Sequence, residues 1–227
     1  DVFVGGRLIP GKYPHPANSH LLENKGGSFE EVTNDKAPDL SKLGLVTAAN
    51  WTDHNMDGLI DLVVVGEWMP ITFFTQTAEG HFEKQVLDGL EDSEGWYYEI
   101  QAHDMDNDGD EDLIVGNLGL NYKYKASRNE PFEVYSTDFD NNGSIDIVLS
   151  YYEHGEVFPV RGKDCSTQQI PYIGKQFGSY EKFGDSNLLE VYGESLKEAL
   201  NLKSKTFASA YVENLGNGSY KITPLPN

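Results

Sequence analysis

Disulfide chemistry is excluded first, because the 227 residues hold a single cysteine, Cys165, which can form neither an intrachain bridge nor a cysteine-rich zinc site. A lone cysteine of this kind is expected as a small buried or half-buried side chain. Long apolar runs are missing as well: the longest candidate, LIDLVVVG at 59–66, is interrupted by Asp61 and falls short of the ~18 residues a membrane span needs. No basic segment followed by an apolar stretch opens the chain, so no export signal is visible in it. Cations are scarce, with 17 Lys and Arg, three of them Arg (Arg7, Arg128 and Arg161), against 37 Asp and Glu, a net charge of −20. Such a surface repels a phosphate backbone, which excludes nucleic acid as a partner. The sequence carries no G-x-S-x-G, no G-x-G-x-x-G, no P-loop and no H-E-x-x-H, and no catalytic residue is assigned. The six His are scattered, and His54 and His103 matter as general bases only if a substrate pocket adjoins them.

What the chain has in abundance is aromatics and turn formers: 13 Tyr, 11 Phe and 3 Trp, with 23 Gly. That mixture favours short strands over long helices, an all-β chain. The acidic residues are unevenly spread, since 12 of the 37 fall in three nine-residue segments, DHNMDGLID at 53–61, DMDNDGDED at 104–112 and DFDNNGSID at 138–146. Aligned, they place side-chain oxygens at positions 1, 3, 5 and 9, Gly at position 6, and at position 7 a residue free to offer its backbone carbonyl. A hard cation takes six to eight oxygens, and the Gly permits the tight turn that folds them inward, so the pattern predicts about three calcium ions. The expected ligands are Asp53, Asn55, Asp57 and Asp61 with the carbonyl of Leu59; Asp104, Asp106, Asp108 and Asp112 with the carbonyl of Asp110; and Asp138, Asp140, Asn142 and Asp146 with the carbonyl of Ser144. An EF-hand would demand a Glu at position 12 and flanking helices. Position 12 is Val64, Val115 and Leu149, and the flanks are β-branched and aromatic runs of strand length, so each loop is expected to join two strands.

Loop starts at 53, 104 and 138 are separated by 51 and 34 residues. The first separation fits a propeller blade of four short strands, whereas the second is short for one, so strands are missing there or the motif is displaced. Strand, D-x-[DN]-x-[DN]-G-x-x-D, strand and a Gly-containing bend together resemble the FG-GAP or VCBS repeat of integrin-type β-propellers. The stretch at 117–152, with VRGKDC at 160–165 and FASAYVENLGNGSYKITPLP at 207–226, more specifically resembles bacterial secreted proteins of the ASPIC/UnbV-associated group, similar to cartilage acidic protein. The resemblance implies a β-propeller segment of about four blades over 1–227, with calcium in a structural role. It implies an extracellular, cell-surface or periplasmic setting and an adhesive or recognition function toward a protein or glycan ligand. In this frame Asp1 matches position 9 of a loop, so DVFVGG is expected as an outgoing strand, and the chain as a segment whose partners include the remaining blades of a longer propeller.

Between the loops, PITFFTQTAEGHFEKQV reads as two strands around Ala78, Glu79 and Gly80, and GSFEEVTN as a hairpin strand. From about 178 to 204 a helical insertion is expected, because Leu188, Leu189, Tyr192, Leu196 and Leu200 fall at helical spacing and Ser195 with Glu198 forms a capping box. Trp51, Trp68, Trp96, Tyr97 and Tyr98 are available to sugars, although packing is their default use. The competing functional reading is a polysaccharide-active lyase or hydrolase with a calcium-stabilised propeller.

Overall fold

The computed structural model describes residues 1–226, a mostly β chain whose strands form three antiparallel sheets. The first sheet holds β1 (Val2–Val4), β2 (His20–Asn24) and β3 (Phe29–Glu31), and a short helix α1 (Thr33–Lys36) follows it. A four-stranded meander comes next: β4 (Leu45–Thr52), β5 (Asp61–Met69), β6 (Thr72–Gln76) and β7 (Phe82–Gln85). β8 (Gly95–His103) and β9 (Asp112–Asn117) pair next to it. The two expected strands around Ala78 to Gly80 are β6 and β7, and the segment at 27–34 supplies β3.

After β9 the chain leaves the sheet it has been building. β10 (Phe132–Thr137), β11 (Asp146–Glu153) and β12 (Glu156–Pro159) begin a separate sheet, and four short helices follow. These are α2 (Lys163–Gln169), α3 (Tyr172–Gln176), α4 (Tyr180–Gly184) and α5 (Leu188–Tyr192), continued by a 3-10 turn at Gly193–Lys197. β13 (Leu200–Ser204) then pairs with β10 and completes the order β12-β11-β10-β13. Only afterwards does β14 (Ala210–Asn214) pair with β9, and β15 (Tyr220–Pro224) with β14. The 34-residue spacing is thereby explained. The third loop lies in a sheet inserted between the second and third strands of the preceding unit, whose own closing strands arrive about ninety residues late.

The strands fall into three sheets, and the largest has eight strands, because β5 outruns its partner β4 and pairs beyond it with the start of β8. The register shifts there between Glu67 and Met69, with Trp68 at φ 60°. A bulge of this kind bends a strand and sharpens its twist, and the sheet curls into a half-barrel. β5 is buried along its whole length. Because side chains alternate across a strand, Val63 and Val65 enter one core with Phe73, Ile100, Leu113, Val115 and Val212, while Leu62 and Val64 enter another with Leu21, Leu40, Phe74 and Phe82. The uninterrupted apolar run LVVV is the sequence mark of a strand covered on both faces.

The helical insertion is larger than 178–204 suggests and ends earlier. Helix begins at Lys163 and the last helical turn stops at Lys197, and Leu200 opens a strand instead of closing an apolar stripe. Pairing with β10 overrides the helical spacing there. The capping box is at Asn187 and Glu190 rather than at Ser195 and Glu198: the Asn187 side chain accepts from the Glu190 N–H, and Glu190 accepts from the Asn187 N–H. Leu188, Tyr192 and Leu196 do pack inward, against Phe139, Val148, Ile173 and Phe183, whereas Leu189 is exposed. Cys165 is also exposed, on α2, because the buried positions of that helix are Ser166 and the Ile170 that caps it.

Candidate functional site

Each of the three acidic loops joins two paired antiparallel strands: 53–60 between β4 and β5, 104–111 between β8 and β9, and 138–145 between β10 and β11. Their backbones follow one plan. Position 4 is left-handed in all three, at Met56 (φ 58°), Asn107 (φ 65°) and Asn141 (φ 58°), and so is the Gly at position 6, at Gly58, Gly109 and Gly143. Two left-handed residues two apart curl the chain around the side chain at position 1. Asp53 accepts from the Asp57 and Gly58 N–H groups, Asp104 from Asn107 and Gly109, and Asp138 from Asn142 and Gly143, at 2.7–3.2 Å. Position 5 accepts from the N–H of position 7: Leu59 to Asp57, Asp110 to Asp108, and Ser144 to Asn142. Three different sequences fold to one cradle because in each the position-6 amide is held by position 1 and the position-7 amide by position 5; the second amide on position 1 comes from position 5 in the first and third loops and from position 4 in the second.

Position 9 plays a different part. Asp61 and Asp112 are fully buried (0%) and Asp146 nearly so, and each accepts from the position-2 N–H of its own loop, of His54, Met105 and Phe139 respectively. Asp61 also accepts from the Gln76 N–H at 2.7 Å, at the end of β6, and Asp112 from the Asn214 N–H at 2.9 Å, at the end of β14, and from the Tyr211 hydroxyl at 2.8 Å. In the first two loops the residue at position 9 thus locks loop to sheet, whereas among the described residues Asp146 holds a backbone amide of its own loop alone. Asp1 makes the corresponding bond, accepting from the Asn24 N–H at the end of β2 at 2.9 Å, which aligns it with this position of the motif.

The sequence names fifteen residues as ligands, and the fold brings subsets of them together. Carboxylate oxygens of Asp104, Asp106 and Asp108 lie within 4.8 Å of one another, and so do those of Asp138, Asp140 and Asp146. Asp53 and Asp57 share the first cradle with Asn55, whose amide donates to Asp57 Oδ2 at 3.0 Å. An all-oxygen donor set of this kind suits a hard divalent cation such as calcium. Two buried oxygens support the fit: among the described residues Asp140 Oδ1 and Asp110 Oδ1 have no hydrogen-bond partner. An unpaired buried carboxylate oxygen is costly unless a cation compensates it.

Asp110 is the feature that sequence reasoning missed. It was assigned a backbone carbonyl, yet its side chain is buried (4% exposed) beside Gly216 of the β14–β15 turn. Burial, then repulsion from Asp108, Asp112, Asp106 and Asp104, pushes its pKa up to about 6. Burial raises Asp61 and Asp146 in the same direction. A carboxyl with a raised folded-state pKa favours folding while protonated, so its contribution is full below the ordinary carboxylate range and lost as pH rises through about 6. In chelator, Asp110→Asn is therefore expected to match the parent chain near pH 4 and to melt a few degrees higher at pH 7. Parallel melting curves across that range would refute the assignment.

The two first loops are coupled. The Asn214 side-chain amide donates to the His54 carbonyl at 3.0 Å, and Thr52, just before the first loop, donates to Glu111 of the second at 2.6 Å. His54 itself is a packed residue: its Nε2 lies 2.8 Å from Thr75 Oγ1 and its ring 4.8 Å from that of Phe73, and burial lowers its pKa. Of the five aromatics open to sugars by sequence, Trp68 and Tyr97 are buried and Trp51 and Trp96 half-buried, and Trp68 packs on Trp96 at 4.7 Å and on Phe132 at 5.9 Å. Tyr98 alone of the five is exposed, at 46%.

Residues 53–115 match the family model of the FG-GAP-like repeat. The match takes in the first two loops and the strands from β5 to β9, and the third loop lies outside it. No curated protein and no solved structure matches the chain. Among the described residues no helix is long and apolar enough to cross a membrane.

Proposed function

We propose that the chain is a recognition module of β-propeller type whose three acidic loops each hold a structural calcium ion. The observation that carries this reading is the common plan of the three cradles: the same two left-handed positions, the Gly amide of position 6 on position 1 and the position-2 amide on position 9, in sequences that share little else. In this reading the first sheet is one blade, the eight-stranded sheet is two blades joined at the Trp68 bulge, and the inserted sheet is a fourth. The ligands would be the side chains at positions 1, 3, 5 and 9 with the carbonyl at position 7, and the ion would neutralise carboxylates that otherwise repel. An ion enclosed in its own loop polarises no substrate, which favours a binding module over a lyase or hydrolase. The FG-GAP-like match supports an extracellular recognition-type module, and the cell-surface or periplasmic setting and the adhesive role are part of this proposal. The finer likeness to ASPIC/UnbV-associated proteins rests on the residue strings at 117–165 and 207–226.

Affinity should rank by charge. The second loop offers Asp104, Asp106, Asp108 and Asp112, whereas each of the others replaces one of these four side chains by Asn. More anionic ligands raise affinity in such loops. Calcium calorimetry on Asp108→Ala, Asp57→Ala and Asn142→Ala is expected to show the largest loss for Asp108→Ala. A smaller loss there than in both others would overturn the ranking, and absence of calcium binding to the parent chain would overturn the function.

A further inference from the structure

The inserted sheet carries a surface that the calcium reading does not use. A cavity of ≈460 Å³ between β12 and α5 is mainly apolar, and its one cation, Lys197, is already bonded to Glu194. Two smaller cavities, of ≈320 and ≈280 Å³, share Lys123, Tyr124 and Tyr151 and so form one continuous groove. Its floor is a file of rings. Tyr151 and Phe158 are cross-strand partners on β11 and β12, 6.3 Å apart, and Tyr124 reaches in from the segment before β10 to lie 4.7 Å from Tyr151. Around them stand Lys123, Arg161 and Lys163, none of which forms a salt bridge among the described residues. Instead Lys123 lies over the Tyr124 ring at 5.0 Å, Lys163 over that of Tyr180 at 5.1 Å, and Arg161 donates to the neutral Gln169.

That convergence is unexpected on a chain with 37 acids to 17 cations, where a free cation should readily find a carboxylate. Residues 121–128, NYKYKASR, and 158–163, FPVRGK, hold five cations, of which Arg128 is paired with Asp92 while Lys123, Lys125, Arg161 and Lys163 line the groove. The adjacent Asp164 accepts from the Tyr180 hydroxyl, and the inserted topology brings the two segments together. We propose that this groove binds an acidic oligosaccharide, the sugar rings lying on Tyr124, Tyr151 and Phe158 and the uronate carboxylates meeting Lys123, Arg161 and Lys163. Flat rings present an apolar face that suits the C–H face of a sugar, and guanidinium and ammonium groups suit carboxylates. An extended polyanion is disfavoured, since the surface beyond the groove returns to net negative charge and Glu153 closes the far end of the second cavity. The proposal rests on the chain being a recognition module but not on its binding calcium.

The test is calorimetry, at fixed free calcium, with a hexasaccharide of alternating glucuronate and N-acetylglucosamine, its carboxyl-reduced neutral form, and oligoglutamate of equal charge. Saturable binding of the acidic sugar is expected, with loss of about tenfold in Arg161→Gln/Lys163→Gln and about fivefold in Tyr151→Leu. Affinity should rise about twofold in Glu153→Gln, where a repelling charge is removed. Melting curves of these surface variants would show that they fold. Equal binding of the neutral sugar, tighter binding of oligoglutamate, or no saturable binding of the acidic sugar would each overturn the proposal. Repeating the titration in chelator, where all three loops are empty, separates the two readings: sugar binding that persists after calcium is lost leaves the groove standing, and calcium stabilisation without sugar binding leaves the loops standing.

Discussion

Chelation is expected to lower the melting temperature by about 8–16 °C relative to the same protein at free calcium ten times its dissociation constant. The estimate starts from linkage, which gives about 1.4 kcal/mol per site at that excess and so about 4 kcal/mol for three sites. A chain of this size moves by about 2–4 °C per kcal/mol. The physical source is local. Without a cation, Asp104, Asp106 and Asp108 converge within 4.8 Å while backbone amides answer only part of their charge, and the buried Oδ1 atoms of Asp110 and Asp140 stay unpaired. Magnesium should restore less of the loss, since it demands near-ideal octahedral geometry and parts reluctantly with its water. A melting curve indifferent to chelator, once metal content has been shown to fall, would end the calcium reading.

The loops were legible in the sequence because a nine-residue motif encodes its own geometry. Side chains at alternate positions bond amides two to five residues away, so no distant contact is needed, and the flanking β-branched runs name the strands on either side. Strand order was not legible. Nothing in LIVGN at 113–117 says that its partner is AYV at 210–212, because the two strands are separated in the chain by the whole inserted sheet and its helices. The helices at 163–176, outside the expected insertion, were not legible for another reason: at five to seven residues each they are too short for a hydrophobic period to stand out. Cys165 and Leu200 were misjudged together, the first because burial in α2 falls on Ser166, the second because a strand partner outcompetes helical spacing.

The same contrast applies within the site. A ligand pattern treats positions 1, 3, 5 and 9 alike, but the fold does not, and this gives a prediction of comparable size. Asp106 is exposed and accepts from the Asp108 N–H alone. Asp112 is fully buried and holds the Met105 and Asn214 N–H groups and the Tyr211 hydroxyl, tying the second loop to a strand a hundred residues away. Hydrogen bonds to a charged group contribute about 1.5–3 kcal/mol each, and losing the acceptor leaves the Asn214 N–H buried without a partner. With allowance for non-additivity, Asp112→Ala is expected to lose about 4 kcal/mol in chelator and more in calcium, where a ligand is lost as well, and Asp112→Asn somewhat less, since its carbonyl oxygen can keep part of the set. Asp106→Ala should leave stability in chelator nearly unchanged and act only through weakened calcium binding. Urea unfolding of the three variants, with and without calcium, separates lock from ligand. If Asp112→Ala in chelator is as stable as the parent chain, position 9 is an ordinary ligand and the lock between loop and sheet has been misassigned.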